Sequence, residues 1–167
     1  MNTLHGEITD IRTEQSISLV KVLAEGHLFH SLVLDAPDTS PWLKEGAAVR
    51  VLFKETEVMI ALPPDPLPPG SATSPLLISV RNQLPCRITA ITRGAILCEL
   101  TLSLTPSSIQ PSAPGNTPSS TQSVPRDIPP STIRSIITRS ACESLDLKEN
   151  QDVIALIKTN EVSLAHD

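Results

Sequence analysis

The chain has no tyrosine, one tryptophan and two phenylalanines among its 167 residues. Any core must therefore be aliphatic, and at 40% hydrophobic content there is enough material for one. The shortage of rings also argues against nucleic acid, because single strands are held by stacking on aromatics and by basic surfaces. No apolar run approaches the roughly 18 residues that a membrane helix needs. The N-terminus lacks the basic-then-apolar pattern of a secretory signal. The three cysteines are odd in number and form no CxxC pair, so neither a disulfide framework nor a zinc site is expected. Cys98, within an apolar run, reads as a small buried side chain. No Ser-His-Asp, Cys-His or carboxylate pair stands out as catalytic. The expectation is a reduced, cytoplasmic binding protein, not an enzyme.

Charge of one sign is scarce in one half only. Residues 1–66 hold five Lys/Arg and ten Asp/Glu, whereas residues 67–167 hold eight of each. The net charge of −5 thus belongs to the first part. An acidic chain disfavours polyanions, but a small anion needs only a local cluster of donors.

Two internal repeats account for the organisation. Residues 43–62 read LKEGAAVRVLFKETEVMIAL and residues 147–166 read LKENQDVIALIKTNEVSLAH, at an offset of 104. NTLHGEITDI from Asn2 aligns with NQLPCRITAI from Asn82 at an offset of 80. The difference of 24 between the offsets is mostly an insertion in the second copy, placed at 105–131. That segment carries seven of the sixteen prolines and many Ser/Thr, a composition that cannot bury a core. A second proline-rich stretch, 63–76, reads as an extended linker. The domain reading is therefore a degenerate first repeat at 1–62, the linker, and a second repeat at 77–167.

Short segments rich in β-branched residues predict strands near 4–12, 16–24, 27–35, 48–54 and 57–62. In the second copy they fall near 84–93, 95–104, 131–139, 152–159 and 161–165. Val49, Val51 and Phe53 should face one side, with Arg50, Leu52 and Lys54 facing the other. Helical turns are expected near 39–43 and 141–146. The fold class is all-β, two tandem five-stranded OB-like barrels of about 60 residues each. Barrels that small have marginal cores, so the two should pack together or oligomerise.

The second copy resembles the Mop, or molybdate-binding TOBE, domain family. The resemblance is carried by Ser79-Val80-Arg81-Asn82-Gln83, Arg93-Gly94-Ala95, Ile137-Thr138, Leu145-Asp146-Leu147-Lys148-Glu149 and Ala155-Leu156-Ile157-Lys158. Order and spacing agree over nearly all of 77–166, apart from the insertion. Ala141 stands where the family usually has Ser, with Ser140 one residue earlier, and Val80 replaces a small Ala. The first copy keeps Asn2 and Lys54, but has nothing to match Ser79 and Arg81. No helix-turn-helix or Walker loop accompanies the repeats, so the chain looks like a free-standing tandem Mop protein.

The resemblance implies a molybdate or tungstate ligand, and the residue types suit it. Molybdate is a tetrahedral dianion with four acceptor oxygens, so a selective site offers donors and withholds acceptors. Ser79 and Arg81 supply a hydroxyl and a planar fork, and Lys158 a point charge next to Thr159. Gly94 and Ala95 allow backbone N–H groups to approach an anion. Thr138 and Ser140 add hydroxyls, and Asn82 completes the oxyanion-binding set. Asn2 and Lys54 mark a possible second site. By resemblance, such sites form where repeats or subunits meet, in a homo-oligomer of two or three chains. A molybdate transporter or a regulator protein is a further expected partner. The alternative reading is a protein-interaction or regulatory module with a vestigial anion site, motivated by the insertion and the degraded first copy. Elsewhere, His27 and His30 should point to opposite strand faces and not pair on a metal. Arg87 and Glu99 read as cross-strand partners.

Overall fold

The computed structural model describes residues 1–64, 76–105 and 131–166. Apart from their ends, the expected linker and insertion lie outside the described residues. The protein is all-β, with two curled five-stranded sheets. The first copy contributes β1 (Asn2–Glu14), β2 (Ile17–Ala24), β3 (His27–Val33), β4 (Ala48–Phe53) and β5 (Met59–Ala61). The second contributes β6 (Asn82–Arg93), β7 (Leu97–Leu104), β8 (Thr132–Thr138), β9 (Asp152–Ile157) and β10 (Ser163–Ala165). Alternation sets the faces: Val49, Val51 and Phe53 are buried, while Arg50 and Leu52 are only half-buried.

The two copies curl in the same way. The long first strand of each is interrupted at one equivalent place, between Ile8 and Asp10 in β1 and between Ile88 and Ala90 in β6. The skipped residues, Thr9 and Thr89, each donate a hydroxyl to a neighbouring carbonyl, of Lys21 at 3.3 Å and Thr101 at 3.1 Å. Such bulges bend a strand and raise its twist, which is what a half-barrel requires. Between β2 and β3 the chain reverses through Glu25 and Gly26, with φ of 48° and 84°. Two left-handed residues make the tight turn that suits the twist of a hairpin. The equivalent hairpin, β7–β8, is where the second copy carries its insertion.

The fifth strands are exchanged. The first sheet runs β10-β4-β1-β2-β3 and the second β5-β9-β6-β7-β8. After β4 and β9, short 3₁₀ turns at Glu55–Glu57 and Thr159–Glu161 redirect the chain. Val58 and Val162 then anchor it in a single core cluster drawn from both copies. Each copy thus supplies four strands of its own sheet and the edge strand of the other.

Among the described residues an α-helix forms only in the second copy. Helix α1 (Arg139–Ser144) is capped by the Thr138 hydroxyl, which accepts from the Ala141 N–H. The turn expected at 39–43 is instead an irregular loop with two prolines, Pro37 and Pro41. There the Asp35 carboxylate takes the Ala36 N–H and the hydroxyls of Thr39 and Ser40, beside single backbone turns from Ser40 N–H to the Ala36 carbonyl and from Leu43 N–H to the Ser40 carbonyl, both at 2.9 Å. Among the described residues no helix is long and apolar enough to cross a membrane.

Candidate functional site

Antiparallel pairing of β6 with β9 sets Asn82 opposite Ile157. Arg81, one residue before, therefore lies at the same sheet end as Lys158, one residue after. Ser79 precedes Arg81 in a short loop, and Thr159 follows Lys158. Gln83 holds this loop: its amide oxygen accepts from the Leu76 N–H at 2.6 Å, and its nitrogen donates to the Leu76 and Val80 carbonyls, both at 3.0 Å. Ser79, Arg81 and Lys158 are exposed, and neither cation makes an ion pair among the described residues. A guanidinium and an ammonium at one sheet end, with neither in an ion pair among the described residues, offer donors that suit an anion.

Asn82 is spent differently from the sequence expectation. It is fully buried, and its amide meets the His30 backbone twice, accepting from the N–H at 2.6 Å and donating to the carbonyl at 2.9 Å. Asn2 does the same to Arg134, at 2.8 and 2.9 Å. Both asparagines join one copy to the other. Asn82 thereby fixes the backbone next to Arg81.

The remaining candidates gather at the opposite end of the twelve-residue strand β6. Leu97 pairs with Thr138, and the Arg139 N–H donates to the Ile96 carbonyl at 2.8 Å, so the Gly94-Ala95 turn lies against the start of α1. Thr138 and Ser140 hydroxyls are 3.3 Å apart and exposed. The Gly94 N–H closes the hairpin on the Leu97 carbonyl at 2.8 Å, and its carbonyl accepts from Arg139 at 3.1 Å. A Cβ at Gly94 would lie 2.9 Å from the Leu97 carbonyl oxygen, so glycine is needed to close the turn. Arg93 donates to the Leu147 carbonyl at 3.0 Å. Within one chain the candidate set is thus divided between two sheet ends.

The possible second site sits in a cleft of about 280 Å³ lined by Met1, Phe53, Lys54, Glu57, Asn160 and Glu161, among others. Lys54 there shares the cleft with two carboxylates. Next to it, Glu55 accepts from the Met1 amino group and from Arg134, and these donors hold its carboxyl below the usual range.

Sequence reasoning set His30 on the face opposite His27 but did not show its burial. Its Nδ1 is buried with no hydrogen-bond partner. Burial, then the cations Lys21 and Arg81, pull its pKa down. Only the offset of 104, which sets His30 opposite Arg134 in the repeat alignment, carried a signal. His27 lies on the buried face of β3 and His30 on the outer one, and no metal-ligating cluster forms among the described residues. Arg87 pairs across the sheet with Asp152 at 2.8 Å, not with Glu99, because β6 sets it directly opposite Asp152. Glu99 lies 3.9 Å from Arg134. Cys98 is buried as expected, as are Cys86 and Cys142.

No protein-family model matches the chain, and no curated protein does so. Among solved structures the chain is similar to the cytoplasmic molybdate-binding protein ModG, in a PEG-grown crystal form with molybdate bound. The TM-score is 0.70 at 20% identity, over 99% of this chain and 96% of that one. The likeness establishes the fold across both repeats.

Proposed function

We propose that this chain is a non-enzymatic binding protein for a tetrahedral oxyanion of the molybdate and tungstate class, serving its storage, homeostasis or sensing. The observation that carries the reading is the placement of Arg81 and Lys158 at one end of the β6–β9 pair, exposed and without an ion pair among the described residues, with Ser79 and Thr159 next to them along the chain. Whole-chain likeness to a molybdate-binding protein supports it. Each charge-assisted bond in such a set contributes about 1.5–3 kcal/mol. Asn82 acts here as a positioning residue.

The division of the candidates supports a shared site. One chain would bring Ser79, Arg81, Lys158 and Thr159, and a second chain the Gly94-Ala95 turn with Thr138 and Ser140. Calorimetric titration of the full chain with molybdate, tungstate and sulfate tests the reading. Tight binding of the first two, weak sulfate, and a loss of about tenfold or more in Arg81→Ala are expected. Absence of molybdate and tungstate binding at millimolar ligand would sink it.

A further inference from the structure

Two of the three buried cysteines meet. Cys98 lies on β7, where alternation turns its side chain into the core. Its register partner on β8 is Ile137, the residue before the Thr138 cap of α1. Cys142 is the one buried residue of that six-residue helix. The bond from the Arg139 N–H to the Ile96 carbonyl draws α1 back over the end of β7, and the two elements pack. The outcome is thiol against thiol. Cys142 meets Cys98, and both lie within electrostatic reach of the Arg139 guanidinium.

A second arginine is aimed at the pair. Arg93 sits opposite Cys98 across the β6–β7 ladder. It donates to the Leu147 carbonyl at 3.0 Å, and the Leu147 N–H donates to the Cys142 carbonyl at 3.1 Å. These bonds set the Arg93 guanidinium beside the Cys142 thiol. Burial and then Cys98 push that thiol up, while Arg93 pulls it down. The net upward shift leaves the reduced form without a stabilised thiolate, and a disulfide made from such a thiol is not strongly oxidising. Arg139 is spent on Glu143 at 2.7 Å. No third Cys, His, Asp or Glu completes a metal-binding group among the described residues, so the pair reads as a dithiol.

Cys86 provides the contrast. It is equally buried, but its thiol donates to the Leu84 carbonyl at 3.0 Å, and its strand is paired on both sides. Cys142 instead belongs to a short helix whose Arg139, Ser140, Glu143 and Ser144 are exposed. A single turn and a half of surface helix opens more readily than a central strand, and its opening admits a small oxidant.

We infer that Cys98 and Cys142 form a redox-active dithiol, closed to a disulfide by a peroxide and reopened by a thiol. One sulfur attacks a peroxide oxygen, giving a sulfenic acid and releasing water. The other sulfur attacks the sulfenic sulfur, forms the S–S bond and releases a second water. The two thiols lose two electrons and two protons, and hydrogen peroxide is reduced to two waters. A reducing thiol returns both sulfurs through a mixed disulfide. The bond ties α1, which carries Ser140 and follows Thr138, to β7. It also closes a loop containing the whole of 105–131, and cross-links over long loops restrict the unfolded chain most. The inference does not depend on the oxyanion reading.

Peroxide treatment of the folded full chain, without denaturant, tests it. Mass spectrometry should show a loss of about 2 Da and a peptide linking Cys98 to Cys142, with Cys86 still a thiol. Ellman's reagent in denaturant should then find one thiol where the reduced chain has three. The urea midpoint of the oxidised protein should rise, and dithiothreitol should return it. Cys86→Ser should behave as wild type. Cys98→Ser and Cys142→Ser should each give no intramolecular bond and no rise in midpoint. Circular dichroism confirms that they fold, and Cys142→Ser, on the short helix, decides if Cys98→Ser does not. A native chain that keeps all three thiols under peroxide, or that links Cys98 to Cys142 only once denaturant is added, overturns the inference. So does a bond to Cys86.

Discussion

The Ser31 hydroxyl donates to the Val162 carbonyl at 2.6 Å, across the boundary between the two copies. Its repeat counterpart does the reverse, Ser135 to Val58 at 2.7 Å. Each bond ties β3 or β8 to the residue where the other copy's chain crosses over. Both serines are fully buried. Removing either hydroxyl leaves a buried carbonyl unpaired, at a cost of about 1–3 kcal/mol.

From that exchange follows a strong dependence between the copies. Residues 1–62 and 76–167, produced separately, should each lack a native edge strand and remain largely unfolded. Mixing them should restore β-structure by circular dichroism. A half that gives a dispersed amide spectrum on its own would refute this. In the intact chain, Ser31→Ala and Ser135→Ala should each lower a single urea transition and not split it.

Asn82→Ala should behave as a stability mutation as well as a binding one. It leaves the His30 N–H and carbonyl without their partner, so a loss of about 1–3 kcal/mol is expected. Asn2→Ala should cost a similar amount through Arg134, with little effect on anion affinity. Denaturant unfolding beside calorimetry separates the two effects. Arg81→Ala, at an exposed position, should leave the unfolding midpoint within about 0.5 kcal/mol of wild type.

Cys86 should be chemically silent in the native protein. Burial pushes its thiol up to about 12, so the reactive thiolate is scarce at pH 8. Ellman's reagent should find it only after denaturant is added. Prompt reaction of Cys86 in the native state, located by mass spectrometry, would contradict its burial.

Acid should weaken the fold through His27. Its side chain is 3% exposed, and burial holds its pKa below the ordinary imidazole value of about 6.5. Below that value the unfolded chain binds a proton that the native state resists, so stability is full above it and falls as pH drops. Urea midpoints between pH 7.5 and 5 should decline, and His27→Gln should flatten that decline. His30, depressed by burial and by Lys21 and Arg81, contributes in the same direction.

How much of the site could be read from residues depends on the residue. Ser79, Arg81 and Lys158 fall at one sheet end because β6 pairs antiparallel with β9, a partnership that repeat offsets do not specify. The separation of Gly94 and Ala95 from Arg81 was legible, since a hairpin tip lies a full strand length away. Asn82 was not legible. An amide both donates and accepts, so nothing local says whether it meets a ligand or a backbone 52 residues away.

The sequence by itself determined the strands, the doubling of the fold and the place of the insertion. Those properties rest on alternation and on repeat offsets, which are local. Tertiary structure alone decided which edge β5 and β10 would join. A three-residue strand shows the same pattern at either edge, so its partner is chosen by the core that receives Val58 and Val162. The same holds for the leucines on β2 and β3: their alternation predicts a strand, but only the packed sheet shows that Leu23, Leu28 and Leu32 lie on its exposed face.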